Sequence, residues 1–141
     1  MALWDMAVRL LVAMALGAAV GLEREYLEKP AGLRTLTMVC LGACLFVLIL
    51  LEMVAMGGIL ERSDPSRIIA AIIQGIGFLC AGTVWRVGDR IKGLTTAAAM
   101  WMVTGVGVAV GFGLWRLALL ATAMTLLVLR GLTKVFPHHT T

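Results

Sequence analysis

An all-α, polytopic membrane bundle is the architecture this sequence specifies. Five long apolar runs alternate with short polar stretches along 141 residues. The chain is 61% hydrophobic and only 14% charged, with a mean hydropathy of +1.00, more apolar surface than a soluble domain of this length can cover. Its Lys and Arg residues cluster at the ends of the apolar runs instead of forming a patch, so the net charge of +4 points to membrane orientation and not to nucleic acid.

The first segment runs from about Leu3 to Leu22, and twenty residues at 1.5 Å each span about 30 Å, the hydrocarbon thickness of a bilayer. It lacks a basic leader and a cleavage site, so it reads as a retained span and not a signal peptide. Asp5 and Arg9 are four apart and can pair on one face. Gly17 and Gly21 form a small-xxx-small pattern that lets another helix approach closely.

The stretch GLEREYLEKPAGLRT, Gly21 to Thr35, follows directly. Glu23 and Arg24 stand at the membrane boundary on one side and Arg34 on the other. Arg24 with Glu28, and Glu25 with Lys29, have the spacing of surface ion pairs. That leaves Glu23 and Arg34, which we expect to pair with each other or with a ligand, because an unpaired charge beside hydrocarbon is costly. Pro30 and Gly32 fix the backbone path between them.

Segment two runs from about Leu36 to Met56, with Glu52 near its outer end as an interfacial or buried carboxylate. Cys40 and Cys44 share a helical face and read as small packing residues. In the polar loop Gly57 to Arg67, Asp64 is the expected N-cap of the next helix and Pro65 its first residue. Segment three, about Arg67 to Trp85, carries Gly75, Gly77 and Gly82, with Gly75 and Gly77 as expected helix-packing positions and Gln74 as an expected cross-helix hydrogen-bonding group. A short basic loop, Arg86 to Gly93, precedes segment four, Leu94 to about Val110, whose Thr95 and Thr96 can cap its first amides. After a turn at Gly111-Phe112-Gly113, segment five runs from Leu114 to about Leu132. The division expected is a membrane domain over 1–136 and a polar tail over 137–141, where His138 and His139 are not expected to bind metal.

Eight Lys and Arg residues fall on the side of the two loops and the C-terminus and four on the other, so the N-terminus is expected outside and the C-terminus in the cytoplasm. A shift of 61 residues places Gly21 on Gly82, Gly32 on Gly93, Thr35 on Thr96, and Glu28 on Asp89, which suggests a parallel two-helix repeat followed by one added helix.

These blocks carry a family resemblance. Gly21-Leu22-Glu23-Arg24, Ala31-Gly32-Leu33-Arg34-Thr35, Gly75-Ile76-Gly77-Phe78-Leu79 and Gly93-Leu94-Thr95-Thr96-Ala97-Ala98 together resemble the MgtC/SapB family of bacterial inner-membrane proteins. Cys80 departs from the family pattern, which has Gly there. The resemblance covers the membrane domain and not the soluble C-terminal domain of the better-known members. It implies a role in magnesium homeostasis and adaptation to low magnesium, virulence in some members, and the F-type ATP synthase as a membrane partner.

From the residues, two functional loops are expected: Gly21, Glu23, Arg24, Gly32, Leu33, Arg34 and Thr35 in the first, and Gly82, Arg86, Asp89, Gly93, Thr95 and Thr96 in the second. Mg²⁺ is the one possible cofactor, raised by the resemblance. Glu23 and Asp89 are its candidate ligands, but interleaved cations argue against a dedicated cage. A second reading gathers Arg24, Arg34, Arg86 and Lys92 with two helix N-termini into an anion-attracting funnel for phosphate, a nucleotide or a lipid headgroup; plain positive-inside anchoring is its rival. No enzyme motif occurs. The expected function is a regulator or binding protein acting through its loops, with a small cation transporter or channel as the alternative, and glycine-lined faces suggest a homo-oligomer.

Overall fold

The computed structural model describes residues 1–56 and 64–135. The described residues form five helices, as the apolar segments require: α1 Leu3–Tyr26, α2 Leu33–Ala55, α3 Pro65–Gly82, α4 Leu94–Gly111 and α5 Trp115–Val135. Between α3 and α4 lies an antiparallel hairpin, β1 Trp85–Val87 and β2 Arg90–Lys92. By length and composition α1, α2 and α4 can each cross a membrane, and α3 contains a shorter apolar helix. The tail with His138 and His139, and most of the loop after α2, lie outside the described residues.

Close packing centres on α2 and α4. A Cβ on Gly17 would come within 2.7 Å of Cys40 Cβ, and one on Gly21 within 2.7 Å of Leu33 Cα. From the opposite side, a Cβ on Gly107 would run into the Cys40 carbonyl, and one on Gly111 would lie 2.6 Å from Val47 Cβ. Two Gly-xxx-Gly faces, Gly17/Gly21 of α1 and Gly107/Gly111 of α4, therefore grip α2 between them, the geometry by which helices gain dispersion contact without a hydrophobic drive. Cys40 lies in the grip, where a larger side chain has no room. Gly75, Gly77 and Gly82 have open space around them instead, so within this chain α3 uses none of its glycines for close contact. This helix rests on α4 and meets α2 only lightly.

The end away from the two loops is tied by Arg9. Its guanidinium pairs with Asp5 at 3.1 Å, donates to the carbonyl of Gly111 at 2.6 Å and lies over the Trp115 ring. The Asp5–Arg9 pair is as expected from spacing; the cap it places on the last carbonyls of α4 is not visible in local sequence. Glu52 meets the Met1 ammonium at 2.6 Å at this end. Asp64 caps α3 as expected, accepting from the Ser66 amide at 2.9 Å and its hydroxyl at 2.6 Å. Those two donors hold its carboxyl below the usual carboxylate range.

Candidate functional site

The site is built where α1 ends, α2 begins and α4 begins. Helix α1 does not stop at Leu22 but continues through Tyr26, which carries Glu23 and Arg24 inside the helix. Its end is closed by reciprocal backbone bonds, Lys29 N–H to the Arg24 carbonyl and Glu28 N–H to the Glu25 carbonyl, with Glu28 at φ 52 in the left-handed region. That is a Schellman closure with Glu where Gly is usual. The pairs expected from helical spacing do not form for this reason: Glu28 has left the helix, and Arg24 faces the bundle.

Arg24 is 4% exposed and Thr96 2% exposed, and Arg24 Nη2 donates to Thr96 Oγ1 at 2.8 Å. This bond joins the end of α1 to the first turn of α4, and so links the two loops that the sequence singled out. Thr96 is thus an acceptor for Arg24 and gives no side-chain cap to α4, whose N-cap is Gly93. The residue that the repeat places on Thr96, Thr35, is exposed, as is Thr95.

Glu23 is 3% exposed, and neither carboxylate oxygen has a hydrogen-bond partner. It does not pair with Arg34, which is exposed and makes no ion pair among the described residues. Arg24 Nε and Thr37 Oγ1 are also buried without partners. Unsatisfied buried groups cost about 1–3 kcal/mol each, more when charged, so each calls for a reason such as strain, an ion or a functional role.

Glu25 takes a different role from the expected surface pair. Its Oε2 accepts from the Leu33 amide at 2.9 Å, capping the start of α2, and the missing side chain of Gly32 is what makes room for it. An acidic group there also suits the helix dipole. The α2 N-terminus is consequently occupied by the chain's own carboxylate, and with Arg24 buried the anion funnel loses two of its expected parts.

The second loop is the hairpin. Gly88 and Asp89 form its turn, with Gly88 at φ 61. The exposed Arg86 bonds the Gly88 carbonyl at 2.8 Å and Asp89 at 3.3 Å. Gly93 has φ 90, and its Cα lies so close to the Thr83 carbonyl that a Cβ would overlap it. Both the backbone angle and the space admit only Gly there. Gly82 stands in open space at the end of α3.

For Mg²⁺ the fit is poor. The described residues contain no group of three His, Cys, Asp or Glu that could hold a metal. Asp89 is exposed and engaged by Arg86, and Glu23 is one buried carboxylate next to an Arg, short of the oxygen donors the ion needs.

Comparison with known proteins places this geometry. The model of the MgtC family matches residues 10–137, which include both loops and all five helices apart from the start of α1. The chain belongs to the MgtC family. Among curated relatives, Protein SrpB of Synechococcus elongatus is 37% identical over 90% of this chain and 74% of its own length. Protein MgtC of Salmonella typhimurium is 42% identical over 84% of this chain and 48% of its own length. An uncharacterized protein of Synechocystis, slr0014, is 40% identical over 93% of this chain and 55% of its own. The chain thus spans about three quarters of one of these relatives and about half of the other two. No solved structure matches it.

Sequence reasoning missed three members of this site. Thr37 carried no signal beyond its type. The capping role of Glu25 was hidden by its spacing to Lys29. The hairpin was legible in Val87-Gly88-Asp89-Arg90, since Gly-Asp between residues of high strand propensity is a two-residue hairpin turn, but the basic composition reads as loop.

Proposed function

We propose that this MgtC-family protein is a multi-pass protein of the bacterial inner membrane that supports adaptation to low magnesium by binding a partner at its loop end. In this reading all five helices span, the N-terminus lies outside and the C-terminus inside, and the protein carries out no catalysis. The observation that carries the proposal is the distribution of buried polar groups. Glu23, Arg24 and Thr96 lie together at the loop end, whereas the hydroxyls of Thr104, Thr122 and Thr125 donate to carbonyls of their own helices at 2.7–2.9 Å. Those hydroxyls are spent on the backbone, so the described residues offer no run of free polar groups along the bundle. Exposed Arg34, Arg86 and Arg90 give the loop end a cationic rim suited to an acidic protein surface.

The partner is another membrane complex, and the F-type ATP synthase implied by the family resemblance is the first to test. Self-association belongs to the same reading. Gln74 is exposed near the middle of α3 and bonds to nothing among the described residues, so its cross-helix partner comes from another chain. Exposed Ala70, Gly77 and Ala81 share its face and allow a second helix to approach.

The test is growth at limiting magnesium together with co-purification of membrane complexes. Glu23→Gln and Arg34→Ala should both impair growth while still inserting, and Arg34→Ala should lose the partner. Normal growth of both variants refutes the assignment of the site. The transporter alternative draws on one observation, the unpartnered Glu23 carboxylate, which a passing cation could engage.

A further inference from the structure

A lateral groove runs between α2 and α3, with Thr104 of α4 on its floor. Its volume is about 660 Å³ and its lining is almost wholly apolar. Along α2 it extends from Met38 to Met53, about 22 Å at the helical rise. Gly42 on one wall and Gly75 on the other have no side chain, and nothing stands within 4 Å of where their Cβ atoms would be. Two glycines facing open space thus keep the trough wide where α3 drifts away from α2.

We propose that this groove is a binding site for one anionic phospholipid, with an acyl chain lying in the trough and the phosphate held by Arg34. Shape points to the occupant. The trough is lined almost wholly by apolar side chains and runs lengthwise for about 22 Å along α2, the form in which an extended hydrocarbon chain lies. Charge decides the headgroup. Arg34 stands one turn before Met38 on the same face of α2, so its guanidinium lies beyond the end of the groove, at the boundary where phosphates sit. It is exposed and has no ion pair among the described residues. At the opposite end Arg67 follows the Asp64 carboxylate that caps α3 by three residues, whereas no carboxylate lies within a turn of Arg34 along α2. The groove and the Gln74 face are different sides of α3, so the lipid and a second copy do not compete.

The experiment is native mass spectrometry of the purified protein in mild detergent, titrated with dioleoyl phosphatidylglycerol or dioleoyl phosphatidylcholine. Wild type should retain one phosphatidylglycerol per chain. The double variant Gly42→Leu/Gly75→Leu fills the trough without meeting protein atoms and should lower retention at least tenfold. Gly131→Leu, also in open space but on α5 and outside the groove, should retain lipid as wild type does. Arg34→Gln should bind the two lipids alike. Unchanged retention by the double variant overturns the proposal. So does a double variant that loses subunits instead of lipid, which would assign the groove to a second copy.

Discussion

Replacing Thr96 by Val removes one hydroxyl and keeps the shape, so it isolates the bond that joins the two loops. Arg24 and Thr96 are 4% and 2% exposed, and their donor–acceptor distance is 2.8 Å. Neutral interhelical hydrogen bonds in membrane proteins average about 0.6 kcal/mol. A charged donor raises the figure to about 1.5–3 kcal/mol, and loss of the acceptor adds a second unmet nitrogen to an Arg24 whose Nε already has no partner. We therefore expect Thr96→Val to destabilise by about 1.5–3 kcal/mol, roughly a tenfold to hundredfold increase in the unfolding equilibrium constant. The assay is equilibrium unfolding in mixed micelles of mild detergent and dodecyl sulfate, read by tryptophan fluorescence. Thr95→Val, at the exposed neighbour, is the control and should stay within about 0.5 kcal/mol of wild type. In the double-mutant cycle with Arg24→Met, the effect of Thr96→Val should shrink by most of its size, because its partner is gone. Equal effects of Thr95→Val and Thr96→Val, or additive losses in the cycle, would mean that the Arg24–Thr96 bond does not hold the two loops together.

Three further substitutions test the packing and the turns by the same unfolding assay. Gly107→Ala drives a methyl into the Cys40 carbonyl and should cost about 1–3 kcal/mol, whereas Gly105→Ala meets open space on the same helix and should not destabilise. Glu28→Gly relieves a left-handed backbone and should stabilise by about 1 kcal/mol, with partner binding unchanged. Gly93→Ala is excluded both by its φ of 90 and by the Thr83 carbonyl, so it should destabilise by more than about 1 kcal/mol and expose the hairpin to protease.

The helices and one of the two glycine grips were legible in the sequence. Hydropathy marks the apolar runs, Gly17 and Gly21 have the spacing of a contact face, and Asp64-Pro65 announces the start of α3. Gly107 and Gly111 carry the same spacing, but hydropathy ends segment four at about Val110 and leaves Gly111 to the turn, whereas α4 runs through it. The buried charges were not legible. Whether Glu23 and Arg24 face solvent or protein depends on α1 winding one turn further, and the closure that allows it uses Glu28 in a conformation that normally announces itself by Gly. The bond from Arg24 crosses 72 residues and that from Arg9 to Gly111 crosses 102, so neither leaves a periodic trace. The 61-residue repeat aligns Thr35 with Thr96, yet one is exposed and the other buried. Helix α1 packs along α2, while α3 leans on α4 without a glycine contact, and the two halves therefore differ where the site forms.

Ion flux in proteoliposomes holding the purified, oriented protein separates a binding role from transport, with Mg²⁺ and Na⁺ measured separately and Glu23→Gln as the control. For a partner-binding protein, flux should be no greater than in empty vesicles for either ion, with wild type and variant alike. A Mg²⁺ or Na⁺ flux that Glu23→Gln abolishes would contradict the binding role, and would make the buried carboxylate a station on a transport path.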